Sequence, residues 1–160
     1  MKSENRHWVF RAHVVDRAGA LTSIASSFSN EGINIETVVG HGTEEYAHIE
    51  GSVLITFTGS EKERDIMARK IKRLGKVISL EEHSYDSKKL RKSVLIKTDR
   101  RLKPVEVAGE ESFLTCELVI SDADSCTYFL AGAPSELDPV LKKLETDGIV
   151  KDIIYSVVGL

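Results

Sequence analysis

The chain has 160 residues, 41% hydrophobic, 29% charged and 6% aromatic, with a formal net charge of −3. That length fits one ordinary domain or two small ones, and the apolar content supports folded cores. No apolar run approaches the roughly 20 residues of a membrane-spanning helix, and residues 1–7 lack the apolar stretch of a signal peptide. Cys116 and Cys126 alone cannot make a disulfide framework. A soluble cytoplasmic protein with no membrane partner is the expectation.

Charge is unevenly spread. Residues 1–86 hold 11 basic and 13 acidic side chains, residues 87–103 hold 8 and one, and residues 104–160 hold 3 and 11. The basic segment around Lys88, Lys89, Arg91 and Lys92 invites a phosphate-binding reading. It contains no aromatic residue for base stacking and runs at once into an acidic half. A solvated face or linker is expected there, and no nucleic-acid partner.

In chain order, residues 8–15 read as a strand with Phe10, Ala12 and Val14 on one face. A helix follows, with Leu21, Ile24, Ala25 and Phe28 as its buried stripe and Gly32 as its left-handed terminus. Residues 33–39 and 52–58 are the next strands. Ser60 and Glu63 have the spacing of a capping box, opening a helix that buries Ile66, Met67, Ile71 and Leu74 until Gly75 stops it. Residues 76–82 form the fourth strand. The order β-α-β-β-α-β is the ferredoxin-like unit, an antiparallel sheet with both helices on one face.

After a charged connector the pattern restarts. Residues 93–98 are a strand, residues 104–113 a short helix, and residues 115–121 and 126–131 a hairpin turning at Asp122, Ala123 and Asp124. Cys116 and Cys126 are equidistant from Ser121, so a symmetric hairpin would set them opposite each other. Both are expected as small core residues in a reducing compartment. Ser135 and Asp138 are placed to cap a helix carrying Leu137, Val140, Leu141 and Leu144, which Gly148 ends before a last strand at 149–158. The fold class is therefore α+β, two ferredoxin-like βαββαβ units in one chain.

No catalytic constellation stands out. His7, His13, His41, His48 and His83 are scattered without metal-ligand spacing, and two cysteines make an incomplete zinc site. Asp122 and Asp124 suit a turn for local backbone reasons. One segment is chemically specific: Asp16-Arg17-Ala18-Gly19-Ala20-Leu21, with Asn34 and Ile35 after the helix. Here a strand gives way to a helix within four residues. The free N–H groups of the first turn, reinforced by the helix dipole, suit a small carboxylate, and Gly19 has no side chain to block it. Asp16 and Asn34 offer polar partners to an ammonium group and a carboxylate. The same residues also fit a plainer role, Asp16 as helix cap and Asn34 as strand start.

Asp16 to Leu21, a helix ending in Phe28-Ser29-Asn30-Glu31-Gly32, and then Ile33-Asn34-Ile35-Glu36 resemble the start of an ACT domain. Such domains are ferredoxin-like modules that bind amino acids and regulate biosynthetic enzymes. Residues 128–138 and 149–160, the second closing on Val157-Val158-Gly159-Leu160, resemble the C-terminal domain of the small regulatory subunit family of acetolactate synthase. The resemblance covers nearly the whole chain. It implies an ACT domain at 1–84 for effector binding and dimerisation, a linker at 85–91, and a C-terminal ferredoxin-like domain at 92–160.

The same resemblance implies a non-catalytic regulatory subunit. It would bind a branched-chain amino acid, valine foremost, through Asp16, Ala18, Gly19, Ala20, Leu21, Asn34 and Ile35. Its partners would be a second copy of itself, as a homodimer or higher homo-oligomer, and the catalytic large subunit of acetolactate synthase. Thiamine diphosphate, flavin and magnesium would belong to that large subunit, leaving this chain with no cofactor and no metal. Asp16 stands where the family often has asparagine, and Ala18 where many members have proline. The alternative is a free-standing ACT-domain amino-acid sensor without an acetolactate synthase partner.

Overall fold

A computed structural model describes residues 4–15, 17–41, 51–107 and 114–160. The chain divides into two compact units, 1–85 and 86–160. In the first, β1 (Arg6–Val14), α1 (Arg17–Asn30), β2 (Ile35–His41), β3 (Gly51–Gly59), α2 (Glu61–Lys72) and β4 (Val77–Ser84) follow the expected order. The four strands form one antiparallel sheet, β2-β3-β1-β4. Strands β2 and β4 are its edges.

The core lies between one face of this sheet and both helices. Phe10, Ala12 and Val14 of β1 and Val53, Ile55 and Phe57 of β3 meet Ala20, Ile24 and Phe28 of α1 and Met67, Ala68 and Ile71 of α2. Phe57 takes Phe10 and Phe28 edge-on, at ring-centroid distances of 5.0 and 4.9 Å. Each buried ring contributes about 1.5–3 kcal/mol by its removal from water.

The stripe on α1 differs from expectation. Ala20, Ile24 and Phe28 are buried, at i, i+4 and i+8, whereas Leu21 and Ala25 are exposed. The sheet takes the phase set by Ile24 and Phe28, which turns Leu21 outward. Gly32 ends the helix as expected, with φ +69°. Its N–H donates to the Ser29 carbonyl and the Ile33 N–H to that of Phe28, the pair of bonds that closes a Schellman turn. Because Ile33 is committed to this cap, β2 starts at Ile35 rather than at residue 33.

The capping box on α2 is present: Ser60 Oγ accepts from the Glu63 N–H, and the Ser60 N–H donates to the Glu63 carboxylate at 2.7 Å. Hydrogen bonds donated to the carboxylate, by the Ser60 backbone N–H first and then by its hydroxyl, hold the Glu63 carboxyl below its ordinary pKa. Gly75 is not the stop. The helix ends through Arg73 in right-handed conformation, and Gly75 has no positive φ.

The second unit repeats the topology. Strands β5 (Leu90–Thr98), β6 (Thr115–Ser121), β7 (Cys126–Gly132) and β8 (Val150–Gly159) form a sheet in the order β6-β7-β5-β8. The four-residue α3 (Pro104–Val107) replaces the start of the expected 104–113 helix, and residues 108–113 lie outside the described residues. Helix α4 (Pro134–Thr146) covers a core of Val94, Ile96, Tyr128, Leu130, Leu137, Leu144 and Ile149.

Three local expectations are corrected. Strand β5 begins at Leu90, three residues before the expected start, so Arg91 and Lys92 belong to the sheet. The N-cap of α4 is Ala133, with no side-chain cap bond and Pro134 in the first turn. Proline's fixed φ starts the helix there, which moves Ser135 and Asp138 inside it. Finally, Cys116 lies across from Leu130, and Cys126 across from Ser121. The turn pairs Asp122 N–H with the Ser125 carbonyl, so the hairpin is centred beyond Ser121. Only Cys126 is a core residue, while Cys116 is exposed with its thiol pushed up by desolvation.

Candidate functional site

Ala18, Gly19, Ala20 and Leu21 occupy the first turns of α1, and Asp16, which precedes it, lies outside the described residues. The helix divides their roles. Ala20 is fully buried in the core, Ala18 and Leu21 face outward, and Gly19 is partly covered. No acidic side chain stands in this first turn, so within the helix nothing offsets the positive end of its dipole.

Gly19 faces a residue that the sequence reading did not include. A Cβ built on Gly19 would overlap the Lys76 ammonium and lie 3.0 and 3.1 Å from Cε and Cδ of the same side chain. Lys76 is brought there by the sheet. Strand β4 runs beside β1, so the residue before β4 sits next to the residue after β1, and the Val15 N–H donates to the Lys76 carbonyl at 3.1 Å. A cation thus stands beside the positive N-terminal end of α1, a pairing suited to a carboxylate. Once the β-α-β-β-α-β order was read, the β1–β4 adjacency was the signal that would have found Lys76.

Asn34 is exposed just before β2, and Ile35 is half-buried against the core. The structure does not bring these two residues to Gly19 within one chain. Helix α1, of 14 residues, separates them by about 20 Å at 1.5 Å per residue. The register agrees: Ile35 lies across from Phe57 and Phe57 across from Trp8, at the start of β1, whereas the α1 junction follows the end of β1.

The sheet face away from the helices carries two polar clusters. In one, Glu81 holds His13 Nε2 at 3.3 Å, His83 Nε2 at 3.4 Å and an Arg11 nitrogen at 3.9 Å. Desolvation pushes the Glu81 carboxyl up, but hydrogen bonds from His13 and His83 and the nearby charges outweigh it and leave the pKa lowered. In the other, Thr58 Oγ1 donates to Glu36, and His7 Nδ1 lies 3.2 Å from both the Glu36 carboxylate and the Thr58 hydroxyl. The His7 ring stacks on Tyr85 at 4.5 Å. Among the described residues no three His, Cys, Asp or Glu side chains are gathered to hold a metal ion, and no helix is long and apolar enough to cross a membrane.

In the second unit the basic segment is largely engaged in its own fold. Lys92 is buried with Nζ 2.6 Å from Asp138 Oδ1 and 4.1 Å from the Tyr155 ring centroid. Arg91 donates to the Lys88 and Leu90 carbonyls, and Arg100 forms a two-pronged pair with Glu106.

No protein-family model matches the chain. It is 25% identical over 138 residues to the acetolactate synthase small subunit of Mycolicibacterium smegmatis, covering 85% of this chain and 79% of that protein. The crystal structure of the acetolactate synthase small subunit from Thermotoga maritima superposes with a TM-score of 0.69 at 17% identity. That match spans 97% of this chain and 96% of the other. The chain resembles the acetolactate synthase small subunit in both sequence and fold. The resemblance read from residues 16–36, 128–138 and 149–160 is therefore the one that whole-chain comparison finds. The two ferredoxin-like units are shared with the Thermotoga maritima small subunit.

Proposed function

We propose that the protein is a non-catalytic, cytoplasmic regulatory subunit that binds a branched-chain amino acid, valine first, and modulates a catalytic acetolactate synthase subunit. The similarity over 138 residues to an acetolactate synthase small subunit carries this reading. The effector's carboxylate lies on the first-turn N–H groups of α1, with Gly19 giving it room and Lys76 giving it a counter-charge. Asp16 and Asn34 hold its ammonium and carboxylate from the flanks, and Leu21 and Ile35 meet its apolar side chain.

The separation of the two half-sites supports a site shared between copies. Strand β2 is an edge of its sheet, and a sheet edge invites another chain. Two β2 edges related by a two-fold axis run antiparallel. Each copy then sets the start of its β2, with Asn34 and Ile35, beside the end of the other's β2, the end of the sheet that holds Val14 and the α1 junction. A ligand bridging that interface favours one dimer arrangement over another, which is what regulation requires. In this division of work residues 1–84 bind effector, dimerise and engage the catalytic subunit, while residues 92–160 sharpen the response.

Calorimetry of the full chain against a panel of amino acids, with co-purification of a catalytic acetolactate synthase subunit, tests the reading. Binding of valine, leucine or isoleucine together with a changed rate of the catalytic subunit is expected. Amino-acid binding with no effect on any such subunit would point instead to the free-standing sensor.

A further inference from the structure

Strand β8, ten residues long, is an edge of the second sheet and is hydrogen-bonded on one side to β5. Ile153 and Tyr155 lie on its helix side, across from the core residues Ile96 and Val94. Ile154 and Val158 lie on the other side, across from Leu95 and Arg91. All four are exposed, Ile154 by 70%. Neither face of the strand is fully covered.

Native sheet edges are commonly blunted by charges, bulges or shortness. The other edge of the same sheet, β6, has seven residues, with Glu117 near its middle and Val119 as an extra residue between Leu118 and Ile120. In the first unit, β4 carries Glu81, Glu82 and His83. Strand β8 instead confines its irregularity and both its charges to its start, where Lys151 is the extra residue and Asp152 follows. From Ile153 to Gly159 it pairs regularly with β5 and holds no charge.

That run is complementary to itself. Turned antiparallel about Ser156, its midpoint, each residue meets a partner on the same face. Ile154 falls opposite the second copy's Val158 and Tyr155 opposite its Val157. Ile153 falls opposite its Gly159, a large side chain against none. Lys151 and Asp152 lie beyond the paired run, so no like charges face each other. On the side away from the helices, the row Phe129, Leu95 and Ile154 continues into the second copy's Val158. Ile154 then has an aliphatic neighbour on each side, as cross-strand pairing favours.

We propose that β8 is a self-pairing edge: Ile153–Gly159 of two copies join antiparallel about a two-fold axis at Ser156, fusing two four-stranded sheets into one. A two-fold contact between identical strands is the isologous form, which closes on itself. It uses the second unit alone and is a separate surface from the β2 edge of the first.

Thiol cross-linking of the full chain tests the register, in a Cys116→Ser background that removes the exposed native thiol. Directly opposed residues have Cβ atoms about 4.5–5.5 Å apart, so a short bis-maleimide should join Ser156→Cys to its own copy in most chains. Asp152→Cys lies about 27 Å from its own copy along the paired strands, at about 3.4 Å per residue. It should be joined about tenfold less or weaker still. Adding Ile154→Lys to Ser156→Cys puts a charge into the apolar row and should cut the yield about tenfold. Ile154 is exposed, so the melting curve of that variant should stay in place. No cross-link in Ser156→Cys, or equal yields in Ser156→Cys and Asp152→Cys, would overturn the proposal, and that comparison decides without the lysine variant. Undiminished cross-linking in a folded Ile154→Lys chain would overturn it as well. None of these outcomes depends on valine binding or on the β2 edge.

Discussion

Lys92 and Asp138 meet at 2.6 Å in the second unit, the lysine side chain 8% exposed and the aspartate 35%. The asymmetry predicts unequal losses. Asp138→Ala leaves a buried ammonium without its carboxylate and should cost about 2–4 kcal/mol, somewhat below the range for a fully buried pair. Lys92→Met keeps the apolar stem and leaves a carboxylate that water can reach, so it should cost about 1 kcal/mol or less. Urea denaturation of both variants checks the order.

Gly19 and Lys76 should separate stability from binding. A Cβ at Gly19 would meet only the flexible end of Lys76, so Gly19→Ala should fold, and gain up to about 1 kcal/mol from helix propensity. It should nonetheless weaken valine binding by about tenfold, since methyl and displaced ammonium both disturb the carboxylate's place. Lys76→Met should weaken it by about three- to tenfold, the worth of one charge-assisted contact, with stability unchanged within about 0.5 kcal/mol. Calorimetry and thermal melts on the same samples measure both.

Gly32 and Gly75 each have nothing within 4 Å of a built Cβ, yet Gly32 has φ +69° and Gly75 does not. Gly32→Ala should therefore destabilise by about 1 kcal/mol or more through left-handed strain. Gly75→Ala should be neutral or stabilise by about 0.4–1 kcal/mol through the unfolded chain. Two melting curves of opposite shift would bear this out.

The Glu106 carboxyl is held at about 2 by hydrogen bonds from Arg100 and from the Lys103 N–H. Its folded value is depressed, so the stability it contributes is present above the ordinary 4.5 and is lost as pH falls toward 2. Glu106→Gln should flatten the acid limb of the stability profile between those values and leave its shape near neutrality unchanged. Carboxyl NMR titration would give the wild-type value directly.

Features that depend on neighbours in sequence were legible. The Ser60–Glu63 box and the Gly32 terminus each involve a few consecutive residues with strong local preferences, and the alternation of strands and helices fixed the unit type. Local preferences gave way where they met a stronger constraint. Leu21 is the more apolar residue, but the sheet took the phase of Ile24 and Phe28. Ser135 is the better cap, but Pro134 started the helix two residues earlier. The candidate site was legible on the α1 side, where Ala18, Gly19 and Leu21 are close in sequence. Lys76 and Lys92 were not, because their surroundings come from strands that are distant in sequence. The distance between Gly19 and Asn34 likewise emerges only when helix length and strand register are known together.

Trp8 is the chain's single tryptophan. Its indole N–H donates to the Gly59 carbonyl at 2.9 Å, and the Arg64 guanidinium lies 4.8 Å from its ring. Its fluorescence therefore reports on the environment it has in the first unit, whereas far-ultraviolet circular dichroism sees the strands of both. An unfolding transition followed by the two signals at once shows whether the halves melt together or in turn. The wild-type chain thus carries its own optical label, with no dye attached and no residue replaced.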